Sequence, residues 1–196
     1  MKRVVRRLAQ VGGVAGPVAF VAAWLSLGAR VSGYAPLEDP VSRLAAVGAP
    51  TRPAMTAGML AFAGGVTAFA VAERRALGRA GALATGLTAV GTAGVAALPL
   101  GASFGDRPHA VAAGVAYAAL AAIPWSDASV TGGRRSLSRF VSVAIAATLL
   151  GSALAPDHHG VLQRTGLTIG DAWIVAGAAR ALRHRLDERP VPAWAG

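Results

Sequence analysis

The feature that most constrains the fold is the alternation of long uncharged apolar runs with short basic clusters. The first run, Val11 to Ala29, has 19 residues without a charge and follows the basic stretch KRVVRR. About 20 apolar residues in a helix cross a hydrocarbon core of roughly 30 Å. The chain is 54% hydrophobic and only 14% charged, so it has too little polar surface to coat a soluble globule. We therefore expect an all-α integral membrane bundle.

Six segments qualify as transmembrane helices, although the last three apolar runs need their flanking residues to reach full length. Five spans with a re-entrant last segment is the alternative. The first run is interpreted as a retained span, because Leu27 would occupy the third position before a signal cleavage after Ala29. One domain, 1–185, is expected, with a disordered cytoplasmic tail, 186–196. The predicted spans are 11–29, 53–72, 80–102, 109–126, 139–155 and 165–183.

The distribution of basic residues predicts the orientation of the bundle, because cytoplasmic loops are enriched in Lys and Arg. With the N-terminus inside, fourteen of the nineteen basic residues lie on the cytoplasmic side. That side then carries the whole net charge of +10, and the outer side sums to zero. We expect both termini in the cytoplasm, in a multi-pass protein of the bacterial inner (plasma) membrane.

Several classes of function are disfavoured by the same sequence. Basic residues spread over separate loops at the membrane edge argue against nucleic-acid binding. The chain has no cysteine, which excludes a thiolate metal site and a cysteine nucleophile. No G-x-S-x-G motif, P-loop or strand-borne glycine fingerprint occurs, so we predict no cofactor. The lipid bilayer is the predicted partner, with a lipid-like ligand or a membrane protein partner as further candidates.

Polar residues capable of chemistry gather at the predicted outer face. Each of the three outer connections carries an acid near a proline, in GYAPLEDP, PLGASFGDRPH and APDHHGVLQR. A metal ion would have to draw on His109, Asp157 and one of two adjacent histidines whose side chains diverge on a helix, and we predict no metal site. The candidate site residues are Asp39, His109, Asp157, His158, Arg164 and Asp171.

Asp171 is the polar residue that most needs an explanation, since it lies about two turns inside the sixth predicted span. A carboxylate within a span normally faces a bundle interior or a water-filled cavity and pairs with another group. Arg164, seven residues earlier on the same helix face, is the expected partner, with the outer histidines as alternatives. Two roles stay open for Asp171: a functional proton carrier, acid–base group or substrate contact, and a structural ion pair or hydrogen bond.

The first outer loop, GYAPLEDPVSRLAAVGAPTRPAM, and the apolar run after it resemble the bacterial membrane family DUF998. Arg43 departs from the acidic residue expected after the serine. Two later arrangements are similar to that family: Pro99, Leu100 and His109, and Gly160, Gln163, Arg164 and Trp173. The resemblance covers the first to the sixth span and implies six spans. It directs attention to Asp39, Ser42, His109 and Arg164 and implies no activity, since the function of the family is unknown.

Three functions are compatible with this sequence. A structural or partner-dependent membrane subunit needs no site and fits the scarcity of polar residues in the spans. A membrane enzyme would use the outer carboxylates and histidines as acid and base on a lipid-like or envelope substrate. A small proton-coupled transporter would need Asp171 to be reachable from both sides in turn.

Overall fold

The computed structural model describes residues 2–127 and 134–187, which form six α-helices and no β-strand. The first outer connection contains a 3₁₀ turn, Val41–Ala45, and a second 3₁₀ turn, Pro156–His158, leads into the last helix. The expected all-α class is confirmed. The helices are α1 (Lys2–Gly28), α2 (Arg52–Ala72), α3 (Arg74–Ala97), α4 (Arg107–Ser126), α5 (Arg134–Leu154) and α6 (His159–Asp187).

Consecutive helices pack against one another in chain order, and α6 returns to α1, which closes the bundle. Helix α6 also contacts α4. Helices α1 and α2 approach closely because glycines face each other: a Cβ on Gly12 would lie 3.1 Å from the Cα of Gly65. Of the described helices, α1 to α5 are long and apolar enough to cross a membrane. The protein is therefore a multi-pass membrane protein.

Apolar side chains lie both inside and outside the bundle, as a lipid environment allows. The outward faces carry leucines and valines that are more than half exposed, such as Leu60, Val90 and Leu150. Exposed apolar surface of this extent is rare on soluble proteins and is covered by lipid in a membrane. The interior is filled by fully buried side chains: Leu44, Met55, Val66, Leu120, Ile145 and Ile174.

Helix α6 is continuous over 29 residues, about 43 Å at 1.5 Å per residue. It is long enough to cross, but it is not among the five apolar spans. The six-span count and the five-span alternative therefore both stay predictions. Because α6 begins at His159, Asp171 lies about three turns inside it rather than two.

Some helix ends differ from the predicted spans. Helix α3 ends at Ala97, five residues before the predicted end of 80–102. The following Leu98 precedes a proline, which disfavours helical backbone, and Gly101 has a φ of 74°. The predicted disordered tail, 186–196, overlaps the end of α6, and its residues 188–196 lie outside the described part of the chain.

We call the end of the bundle with the first, third and fifth connections the outer end, after the predicted orientation, and the opposite end the inner end. Glu73, between α2 and α3, closes the inner end. Its carboxylate is 3% exposed and accepts hydrogen bonds from Arg6 Nε at 2.7 Å, from Arg6 Nη2 at 2.5 Å and from Gln10 Nε2 at 2.7 Å. Gln10 Nε2 also lies 3.5 Å from the carbonyl of Ala181 on α6. This cluster joins three parts of the bundle at the side opposite the candidate site.

A candidate site under the first outer loop

A cavity lies inside the outer half of the bundle, beneath the 3₁₀ turn of the first outer loop. About 40 Å³ of it is open to the centres of water molecules, which is room for about three waters. Five helices and the loop contribute to its wall, and α5 does not. Its polar lining residues are Ser42, Thr88, Thr92, His109, Tyr117, Gln163 and Asp171, and its apolar ones are Phe20, Val41, Met59, Phe62, Val95, Ala113, Ala116, Leu120 and Leu167.

Asp171 lines this cavity and is 3% exposed. Neither of its carboxylate oxygens has a hydrogen-bond partner within residues 2–127 and 134–187. The predicted pairing with Arg164 is therefore wrong, and neither the outer histidines nor any other described side chain replaces it. Burial in a bundle brings the residue to a cavity, as predicted, but leaves both oxygens of its carboxyl group without a partner.

His109 enters the same cavity from the first turn of α4, where it is 6% exposed. Its Nδ1 lies 2.7 Å from the backbone carbonyl of Leu98, the residue that ends α3. A carbonyl oxygen accepts only, so Nδ1 carries the proton and donates it to that oxygen. When the ring is neutral, its lone pair is on Nε2. Helix α3 ends before Pro99, so the Leu98 carbonyl lies outside the helix and is available to accept this hydrogen bond.

Gln163 on α6 connects the loop to the bundle. Its Oε1 accepts a hydrogen bond from the backbone N–H of Val41 at 2.7 Å. Its Nε2 donates to the hydroxyl oxygen of Tyr117 on α4. The side chain is 4% exposed, so both bonds form away from solvent. Gln163 therefore fixes the 3₁₀ turn over the cavity and orients the Tyr117 hydroxyl.

Arg164 holds the first outer loop against α6. Its Nη1 donates to the carbonyl oxygens of Pro36 at 2.6 Å and Asp39 at 2.9 Å, and its Nη2 donates to the hydroxyl of Tyr34. Its guanidinium also stacks over the rings of Trp24 and Tyr34, at 5.5 Å and 5.4 Å from their centroids. These contacts explain why Arg164 does not reach Asp171.

The loop also covers the N-terminus of α6 with its own backbone. The N–H of Gly160 donates to the carbonyl of Glu38 at 3.2 Å, and the N–H of Val161 donates to that of Leu37 at 2.9 Å. The first N–H groups of a helix lack partners within the helix, so these bonds satisfy them. Gly160 is needed here because a Cβ would lie 2.6 Å from the carbonyl oxygen of Asp39.

Asp39 stabilises this loop rather than lining the cavity. Its carboxylate accepts a hydrogen bond from the N–H of Ala35 at 2.7 Å and an ion pair from Arg43. Partial burial opposes ionisation, but the Ala35 hydrogen bond and the Arg43 and Arg164 charges outweigh it and lower the pKa of Asp39 below its usual 3.8. Arg43, which departs from the family pattern, thus pairs with this acid.

The remaining two candidates lie apart from the cavity. Asp157 and His158 are exposed on the 3₁₀ turn before α6. Within the ranges that the structure describes, no three His, Asp or Glu side chains are close enough together to hold a metal ion. Of the six candidates, His109 and Asp171 therefore line the cavity. Asp39 and Arg164 hold the first outer loop in place, and Asp157 and His158 lie outside both the cavity and that loop.

Sequence reasoning did not select Tyr117, Thr88 or Thr92, and it treated Gln163 only as part of a family pattern. These uncharged polar residues lie inside or beside apolar runs, where periodicity gives no sign of their contacts. Ser42 was singled out only through the family resemblance, and it lines the cavity. Thr88 and Thr92 share one face of α3 at a spacing of four residues, which is the one signal that was available.

Comparison with known proteins identifies the family but no relative of known activity. No curated protein and no solved structure matches the chain. A family model described as "Protein of unknown function (DUF998)" matches residues 14–180, which include all of the cavity residues. The chain belongs to the DUF998 family.

Proposed function

We propose that this membrane protein binds a small, mostly apolar molecule in the cavity and holds its polar group beside Asp171 and His109. The observation that carries the proposal is the Asp171 carboxylate, 3% exposed, lining a cavity and lacking a partner among the described residues. A carboxylate at the centre of a membrane helix costs about 2.5–3.5 kcal/mol. A purely structural subunit leaves that cost unexplained, whereas a binding site accounts for it.

The shape of the site supports the same function. Apolar side chains form most of its wall, with a few convergent polar groups, as in small-molecule sites generally. The loop above it is held by Gln163 and Arg164, so release of these contacts would open the cavity toward the outer end. The closed cavity has room for only about three waters, so a molecule with a hydrocarbon part needs this opening, through which it could enter from the outer leaflet without crossing the bundle.

Catalysis is the second candidate function, favoured by the geometry of His109. Its hydrogen bond to the Leu98 carbonyl fixes the ring and directs the basic Nε2 away from that contact, as a positioned general base requires. The transport alternative gains no support from the described residues. Ile174 and Ala178, which are 2% and 0% exposed, fill α6 on the inner side of Asp171.

Native mass spectrometry of protein purified from membranes tests binding directly. Ala113→Phe would fill the cavity from α4, while Ala118→Phe places the same ring on the exposed face of the same helix. We expect a bound molecule in the unsubstituted protein and in Ala118→Phe, and its loss in Ala113→Phe. Equal occupancy of both variants, or no bound molecule in any of them, would contradict the proposal.

The same measurement separates binding from catalysis. His109→Gln removes the base while keeping a polar side chain of similar reach. If the protein is an enzyme, we expect His109→Gln to retain a molecule of a different mass, the unconverted substrate. If the protein only binds, the retained molecule has the same mass in both proteins.

A further inference from the structure

The cavity wall offers more free hydrogen-bond acceptors than free donors. Thr88 donates its hydroxyl proton to the carbonyl of Ala84 at 3.0 Å, and Thr92 donates to that of Thr88 at 2.9 Å. Each hydroxyl therefore has only lone pairs left for a molecule in the cavity. In its neutral form His109 likewise offers the lone pair of Nε2, since its Nδ1 proton is donated to Leu98.

Three donors remain in the wall: the hydroxyl protons of Ser42 and Tyr117, and the second amide proton of Gln163, whose other amide proton and Oε1 already bond Tyr117 and Val41. Asp171 adds two further acceptor oxygens and a negative charge when ionised. No Lys or Arg is among the described residues that line the cavity. The site thus offers a carboxylate with no arginine or lysine beside it, and more acceptors than donors, which suits a donor that carries a positive charge.

The apolar wall favours an organic cation over a metal ion. Phe20 and Phe62 line the cavity with their ring centroids 5.5 Å apart and tilted by 56°, and aromatic rings attract organic ammonium groups. Met59, Leu120 and Leu167 complete an apolar surface that would face the hydrocarbon part of the molecule. A bare metal ion needs more oxygen ligands than the described acidic residues supply.

Resting on the proposed function, we propose that the cavity selects amphiphilic molecules with a protonated amine. The ammonium group lies against the Asp171 carboxylate and donates to the acceptors on α3 and α4. The hydrocarbon part lies against Phe20, Phe62 and Leu167. Asp171 thereby acts as the counterion of the ligand.

The absence of native cysteine allows a direct test of charge selection. A single cysteine is introduced by Ser42→Cys, at the cavity wall, and in a second protein by Ser103→Cys, at an exposed position of another outer loop. Each protein, in native membranes, is treated with methanethiosulfonate reagents that carry a primary ammonium, a methyl or a sulfonate group. The rates at Ser103→Cys correct for intrinsic differences between the reagents.

We expect the corrected rate of the ammonium reagent at Ser42→Cys to exceed that of the sulfonate reagent about tenfold or more. Asp171→Asn, which keeps the shape of the side chain, should reduce this ratio to near one. Hexylammonium should protect the cysteine, and hexanol and hexanoate at equal concentration should not. Protection by sodium chloride alone would point to an inorganic cation and overturn the amine assignment.

The outcomes separate the two proposals. If all three reagents reach the cavity at equal corrected rates, the binding cavity stands and the selection of amines is wrong. If none of them reacts at Ser42→Cys while Ser103→Cys reacts, the cavity does not receive ligands, and both proposals are wrong.

Discussion

Replacement of Asp171 by leucine is expected to stabilise the protein, although it removes a residue from the centre of the bundle. Leucine has the same number of side-chain heavy atoms and the same branching, so the substitution keeps most of the packing. It removes two oxygens that have no partner within the described chain. An unsatisfied buried polar group costs about 1–3 kcal/mol. The expected gain is therefore about 1–3 kcal/mol in the free energy of unfolding.

The gain is measured on protein shown by native mass spectrometry to be free of ligand, because a bound ligand would itself raise the melting temperature of the unsubstituted protein. The readout is an apparent melting temperature in one fixed detergent, from the fraction of protein that stays monodisperse after heating. For a chain of this size, about 2–4 °C per kcal/mol predicts a rise of about 2–12 °C. Asp157→Leu is the matched control at an exposed position and should change stability by less than about 0.5 kcal/mol. A lower melting temperature for Asp171→Leu, with Asp157→Leu unchanged, would refute the reasoning and assign Asp171 a structural hydrogen bond.

Three further substitutions test the loop and the inner end by the same melting assay. Gly160→Ala should destabilise by about 1–3 kcal/mol, because its Cβ would lie 2.6 Å from the Asp39 carbonyl oxygen, whereas Gly114→Ala, with no atom within 4 Å, should be neutral. Glu73→Gln should lower the free energy of unfolding by about 3 kcal/mol, which is the lower end of the usual cost of breaking a buried ion pair, because Arg6 is 35% exposed. An unchanged melting temperature would contradict this prediction. Asp39→Asn should show its full loss of stability above pH 3.8. Its difference in stability from the unsubstituted protein should vanish as pH falls through the lowered pKa of Asp39. A difference that persists in acid would contradict the assignment.

Most of the helical architecture could be predicted because charges and prolines mark the ends of apolar runs. Helix α2 begins at Arg52 and ends at Ala72, one residue from the predicted start and at the predicted end. The end of α3 was missed because hydropathy does not register the restriction that a proline places on the preceding residue. The start of α6 was missed because its first turn is polar, and its N–H groups are satisfied by the distant first loop.

The site could be predicted only in part, because charged residues in apolar surroundings attract attention and neutral ones do not. His109 and Asp171 were identified, and they do line one cavity. Their neutral companion Gln163 depends on a contact with Val41, 122 residues earlier in the chain. Such a contact exists only because α6 closes the bundle on α1, and local sequence patterns carry no information about that closure.

The failure of Arg164 to pair with Asp171 has a physical consequence for the site. Seven residues along a helix separate the two residues by about 10 Å, and the guanidinium is already bound to two loop carbonyls and the Tyr34 hydroxyl. The positive charge is thus held at the outer end, and the carboxylate remains deeper in the bundle. A low-dielectric interior strengthens the demand for a counterion, so the carboxylate must be neutralised by a proton or by a bound cation. An arginine that neutralised Asp171 would have abolished that demand, and with it the capacity of the cavity to select a charged ligand.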